Sequence, residues 1–139
     1  MKNEESALII LPLPPKCLSP NSPPGTFGGR MRKAVASKRY REAAKTAALS
    51  CGIESGPWRK ATIQATFYHK CKRRRDDINH LAMLKPAYDG IVDSGLLFDD
   101  DSDHLTTLPA EFKVDRELSR VELRIVRVQA APVGLFSPQ

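Results

Sequence analysis

The stretch "ATIQATFYHKCKRRRDDINHLAMLKPAYDGIVDSG", residues 61 to 95, decides how this chain folds, because its hydrophobic period changes midway. Over residues 61–69, Ala61, Ile63, Ala65 and Phe67 alternate with Thr62, Gln64, Thr66 and Tyr68, the period of a half-buried strand. From about Ile78 to Ser94, the residues Ile78, Leu81, Leu84, Tyr88, Ile91 and Val92 recur at helical spacing, and Gly95 follows as a stop. Pro86 lies inside that run, where it removes one backbone bond and crowds the preceding turn, so the helix should kink there. Between strand and helix stand four consecutive cations, Lys72, Arg73, Arg74 and Arg75, directly against Asp76 and Asp77.

Working outward, "SALIIL" (6–11) is a continuous β-branched and aliphatic run that "PLPP" stops, since proline cannot donate to a ladder. Residues 12–29 hold six prolines and three glycines, which makes them a loop. From Met31 to Cys51, Val35, Ala36, Tyr40, Ala43, Ala44, Ala47 and Ala48 repeat at helical spacing, with Arg32, Lys33, Lys38, Arg39, Arg41 and Lys45 on the other faces. Gly52 is placed to cap that helix. A weak strand is expected around Glu111–Val114 and a clear one over Val121–Val128, "VELRIVRV". The order β-α-β-α-β-β predicts a mixed α/β (α+β) fold: a single mixed-sheet domain over residues 1–128, with two helices on one face of the sheet. Residues 129–139 read as a loose tail.

A chain of 139 residues can bury one proper core, and a composition 41% hydrophobic and 27% charged argues against wholesale disorder. No apolar run is long enough to cross a membrane. The run Leu8–Leu11 is far shorter than a signal-peptide core and follows Glu4 and Glu5 where a signal would be positive, so a cytoplasmic location is expected. Cys17, Cys51 and Cys71 are odd in number and widely spaced, which favours reduced thiols over a disulfide framework.

The net charge of +6 is unevenly spread. Residues 30–75 carry 14 Lys/Arg against two Glu, whereas residues 76–103 carry eight Asp against one Lys. A strongly basic segment is the electrostatic signature of a nucleic-acid or anionic-membrane partner. The acidic block after it cannot serve that partner by attraction. Hard divalent cations such as Mg²⁺ take oxygen ligands, commonly one or two carboxylates with water and phosphate oxygens, so carboxylates beside a cationic tract suit metal-assisted phosphodiester hydrolysis. The plainer alternatives are helix capping by Asp76 and Asp77 and a solvated "DDDSD" loop at 99–103. A helix of about 17 residues is roughly 25 Å long, so Asp76 and Asp77 can approach Asp99, Asp100 and Asp101 only if the chain returns.

The stretch "RRRDDINHLAMLKPAYDGIVDSGLLFDDD" (73–101), together with "LPLPPKCLSPN" (11–21), resembles the RusA family of phage-encoded Holliday-junction resolvases. The resemblance runs to about Val128 and is most specific from Arg73 to Asp101: a basic run, an acidic box, a lysine in the following helix, an Asp-Gly in mid-helix, then a glycine and an Asp-Asp pair. It implies a small homodimeric α/β enzyme of phage or prophage origin that uses Mg²⁺, or Mn²⁺ in its place, to nick branched DNA symmetrically. Carried over, Asp76 matches the first box aspartate, Asn79 the box asparagine, Lys85 the helix lysine and Asp100 the later metal ligand. The implied catalytic set is Asp76, Lys85 and Asp100; the expected metal set is Asp76 and Asp100 with Asp77 standing in for the missing box aspartate, and Asp99 either a second ligand or merely a neighbour. Lys72, Arg73, Arg74, Arg75 and, from the Pro-rich loop, Lys16 would hold DNA phosphates. Two positions depart from the pattern. Ile78 stands where the second box aspartate belongs and offers no ligand oxygen, and Lys85 sits three residues, close to one helical turn, further from the box. If the box has decayed at Ile78, the chain is a junction-binding protein without cleavage.

Asp89 is expected to be structural. His69, Cys71, His80 and Cys51 fit no common zinc spacing. Trp58 closes a core edge or stacks on a base. The tail segment "PVGLF" (132–136) vaguely resembles a short motif for docking on a bacterial sliding clamp, against the plainer reading of an uninformative apolar tail.

Overall fold

The structure, a computed structural model, describes residues 5–19, 25–71 and 77–128, with the side chains of 77–79 outside the description. The expected fold class is observed: one mixed five-stranded sheet with helices packed against it. In chain order the elements are β1 (Ser6–Leu11), a short 3-10 turn (Lys16–Leu18), α1 (Phe27–Ser50), β2 (Ala61–His69), α2 (Asp77–Ala82), α3 (Lys85–Asp93), β3 (Leu105–Thr107), β4 (Glu111–Val114) and β5 (Arg120–Arg127). β5 lies antiparallel between β1 and β2, while the short β3 and β4 both run parallel to β2 on its other side.

The alternation read from residues 61–69 is what places β2 at the centre. Ala61, Ile63, Ala65 and Phe67 are all buried, and they continue into Val121, Leu123 and Ile125 of β5 and Ala7, Ile9 and Leu11 of β1. α1 contributes Tyr40, Ala44 and Ala48 to the same core, and α3 contributes Ala87, Tyr88 and Ile91. Trp58 is fully buried, and its indole N–H donates to Ser55 Oγ at 2.8 Å; it closes the core and is not open for base stacking.

Three details differ from the sequence expectation. The helix over 78–94 is two helices: the chain turns at Met83–Leu84, and Pro86 sits in the first turn of α3. A proline lacks the N–H and clashes with the carbonyl four residues back, so it is easier to begin a helix there than to bend one. α1 starts four residues earlier than the periodicity predicts, because Thr26 Oγ1 accepts from Gly29 N at 3.0 Å and caps it inside the expected loop. The added turn and the first turns of the expected helix extend past the core, so Phe27, Met31 and also Val35, which the periodicity put on the apolar side, are exposed. β3 was not expected, since three residues are too few to show a period.

The two main helices meet at Gly90. A Cβ built there would lie 2.1 Å from the Arg41 carbonyl oxygen and 3.0 Å from its carbon, so the α1 backbone packs directly on α3 and only glycine fits. The Asp-Gly at mid-helix therefore has a packing reason in its glycine. Its aspartate, Asp89, is structural as expected, lying 3.0 Å from Lys85 Nζ.

Candidate active site

α3 ends at Asp93, and Gly95, at φ +88°, turns the chain back. Leu96 and Leu97 bury their side chains, and the backbone then hooks onto Trp58, three residues before β2: Trp58 N donates to Leu96 O at 2.7 Å and Phe98 N donates to Trp58 O at 3.0 Å. Six residues later Ala61 N donates to His104 O at 2.9 Å, which opens β3. The acidic run 99–103 is thus held at both ends by the central strand and its approach. Its position is fixed although residues 101–103 are exposed.

This return brings Asp100 to the start of α3. Lys85 Nζ donates to Asp100 Oδ2 at 2.5 Å and lies 3.0 Å from Asp89 Oδ1, one helical turn further on. Asp89 also approaches Arg41 at 4.0 Å, and Arg41 makes a two-pronged contact to Asp93, with Nε to Oδ2 at 2.5 Å and NH2 to Oδ1 at 2.9 Å. The result is an alternating file, Asp100, Lys85, Asp89, Arg41, Asp93, that ties the loop to α3 and α3 to α1. Lys85 is held above its ordinary pKa chiefly by its hydrogen bond to Asp100, with Asp89 adding to it against the cost of burial. It remains an ammonium through the neutral range. Asp93 is held below the ordinary carboxylate range by the Arg41 fork.

Asp100 has a side chain only 14% exposed, so it is a nearly enclosed carboxylate with one oxygen on a cation. Beside it, the phenol of Tyr88 is 8% exposed and its hydroxyl has no hydrogen-bond partner among the described residues. Burial, followed by the charge of Asp100, pushes the Tyr88 pKa well up, so it is a neutral donor at any physiological pH.

Asp99, Asp101 and His104 each offer a ligand atom, all within 4.8 Å of one another, a grouping that could hold a metal ion. Asp101 Oδ1 already accepts from Asp103 N at 3.0 Å and His104 N at 3.1 Å and lies 2.6 Å from His104 Nδ1. The ring, ahead of the backbone donors, holds the Asp101 carboxyl below its ordinary range. Carboxylate oxygens suit Mg²⁺ or Mn²⁺, and an imidazole in the set favours the latter. The sequence reading named Asp99 and missed Asp101 and His104. The three-residue spacing of Asp101 and His104 is the available signal, and His104 lies just past the 99–103 run at which the sequence reading stops.

Of the other expected site residues, Asp76, Lys72, Arg73, Arg74 and Arg75 lie outside the described residues, as does the tail motif at 132–136. Asp77 is the first residue of α2, and its side chain, like those of Ile78 and Asn79, is outside the description. Lys16 is exposed at the start of the 3-10 turn, after a Pro-rich segment that is pinned to α1 where Tyr40 donates to Pro12 O at 2.7 Å. His80 sits edge-on to Phe67 and Phe112, each ring 5.0 Å away, on the margin of the core. Among the described residues, the three-ligand grouping is the acidic one, and His69, Cys71, His80 and Cys51 do not make another.

Among the described residues, no helix is long and apolar enough to cross a membrane. No family model matches this chain, and no curated protein matches it.

Proposed function

We propose that this chain is a RusA-like, structure-selective endodeoxyribonuclease that resolves four-way DNA junctions as a homodimer in the bacterial cytoplasm, with Mg²⁺ or Mn²⁺ as its metal. The observation that carries the reading is the meeting of Lys85 and Asp100 at 2.5 Å. The resemblance names these two residues from motifs 15 positions apart, and the fold makes them neighbours.

Asp100 and Asp99, with Asp76 ahead of α2 and Asp77 at its start, are the residues that would hold the ion. A divalent ion there supplies Lewis-acid polarisation of the phosphate and a water that ionises near neutral pH. Lys85 keeps a full positive charge beside Asp100, where it can stabilise charge developing on the scissile phosphate. Asp89 fixes the direction of Lys85, and Arg41 with Asp93 fixes α3 against α1, so the ammonium is aimed without being consumed. Lys72 to Arg75, ahead of α2, and Lys16 grip backbone phosphates. Selectivity comes from junction shape and phosphate contacts rather than from base edges. A four-way junction has near-twofold symmetry and needs paired cuts, which a two-fold dimer with one site per subunit supplies.

The test is incubation with labelled synthetic four-way junctions, with and without Mg²⁺. Symmetric nicks that depend on the metal and vanish in Asp76→Asn and Asp100→Asn, with junction binding retained, support the reading. A gel shift without product marks a binding protein whose box decayed at Ile78. Cleavage retained by both variants removes the metal-site assignment.

A further inference from the structure

α1 gives the core Tyr40, Ala44 and Ala48, all from its later turns, so its first turns outrun the core. Tyr40 also holds the Pro-rich segment against the helix through its bond to Pro12 O. Between that segment and the first turns of α1 lies a groove of about 600 Å³, with Pro12 and Pro15 on one side and Met31 and Val35 on the other. Phe27, Met31 and Val35 stand four residues apart and are 71%, 50% and 45% exposed, a single apolar stripe about 12 Å long that runs from the groove to the start of the helix. Arg32 and Arg39 line the groove as well, and neither has an ion pair among the described residues. Arg30, Lys33 and Lys38 lie on the same stretch, and the one carboxylate of α1, Glu42, comes after it. A volume of this size takes organic side chains, and an exposed apolar patch with a charged rim marks an interaction surface.

We infer that this groove is the docking site for an acidic peptide segment of a second protein, whose aliphatic or aromatic side chains enter between Pro12 and Met31 and whose carboxylates pair with Arg32 and Arg39. A purely apolar occupant would leave both guanidiniums without a counter-charge. A nucleic-acid backbone would pair with them but would leave Phe27, Met31 and Val35 uncovered. A bilayer surface is flat, whereas Met31 and Val35 lie in a concavity with proline on its far wall. A second copy of this chain would set the cations of α1 against their own kind. An acidic peptide with apolar anchors meets both features of the site: burial of apolar area supplies affinity, and complementary charge selects the partner and speeds the encounter. The proline wall is formed in advance, because Tyr40 fixes Pro12 and Leu18 N donates to Pro15 O at 3.0 Å, so binding has little backbone to order on this side.

This surface goes beyond the junction-cleaving reading and does not rest on it. The test uses the full chain and needs neither metal nor cleavage. Phage-displayed random dodecapeptides are panned on the wild type and on Val35→Glu. Enrichment on the wild type alone of peptides that combine Asp or Glu with Leu, Ile or Phe is expected. The dominant peptide, synthesised with a fluorescein label, is then titrated by anisotropy. Arg32→Glu, Arg39→Glu and Met31→Glu should each weaken binding about 10-fold or more. Arg116→Glu, a charge reversal between β4 and β5, should leave it unchanged. All of these positions are exposed, and thermal melts check that each variant folds. Raising salt from about 50 to 500 mM should weaken binding without abolishing it. No enrichment, enrichment of peptides without carboxylates, or binding that survives the three substitutions in the groove would overturn the assignment. So would displacement of the labelled peptide by an equal concentration of four-way junction DNA, of phosphatidylglycerol vesicles or of a synthetic peptide of residues 129–139, which would give the groove to DNA, to a membrane or to the chain's own tail.

Discussion

Lys85 Nζ stands 2.5 Å from Asp100 Oδ2, joining the first residue of α3 to a loop that has travelled the length of that helix and come back. The same ammonium is 3.0 Å from Asp89. One cation therefore holds two carboxylates, and the loop carrying the acidic run is tied to the helix whose lysine the resemblance assigns to catalysis.

Replacing that cation separates its roles. Lys85→Met leaves Asp89 and Asp100 without their shared partner, and cleavage should fall about 10²–10³-fold while junction binding is unchanged; Lys85→Arg should recover part of the rate. Because pairing raises the Lys85 pKa above its ordinary 10.5, its contribution to stability is fully present below that value and is lost as pH rises through the folded pKa. The difference in melting temperature between wild type and Lys85→Met should stay constant from neutral pH to about 10 and close at higher pH.

Ile78→Asp restores an oxygen where the resemblance expects one. Titrating cleavage with Mg²⁺ should show a lower half-saturating concentration or a higher rate. An unchanged curve means that Asp77 or another oxygen already fills the place.

Gly90→Ala should destabilise the fold although alanine is the better helix former by roughly 1 kcal/mol. Its methyl group would meet the Arg41 carbonyl oxygen at 2.1 Å, a backbone atom that cannot rotate away, so α1 must move off α3. A net loss of about 2–3 kcal/mol is expected in urea unfolding. Because that shift also disturbs Arg41 and Asp93, cleavage should fall with stability.

The Arg41–Asp93 fork should make its contribution only above acid pH. Asp93 has its pKa depressed from 3.8, so the stabilisation is present above that value and disappears as pH falls through the lower folded pKa. Acid titration of wild type against Asp93→Asn, followed by circular dichroism, should show two curves that are separate at pH 7 and merge at the acid end.

Much of the fold was legible because burial imposes a period on sequence. The alternation of Ala61 to Tyr68 marked the central strand, the spacing of Tyr40, Ala44 and Ala48 marked the buried side of α1, and the apolar "SALIIL" marked β1. Pro86 announced a disturbance and left open whether it would bend the helix or divide it. The period placed Leu84 on the buried side, and it is buried, but a period runs on across a two-residue break and does not show that the chain turns at Met83 and Leu84. Thr26 and Gly29 form a helix cap within a run whose prolines and glycines read as loop.

The sequence alone determined the inventory: which residues are cationic, which are acidic, where glycine breaks a helix, and which strand faces are apolar. Composition and period are local properties, and a local reading recovers them. The meeting of Lys85 with Asp100, the Arg41 bridge between Asp89 and Asp93 and the close crossing at Gly90 were decided only by tertiary structure. Each joins positions far apart in the chain, and their approach is set by where the hydrophobic core directs the backbone at Gly95, Leu97 and Trp58.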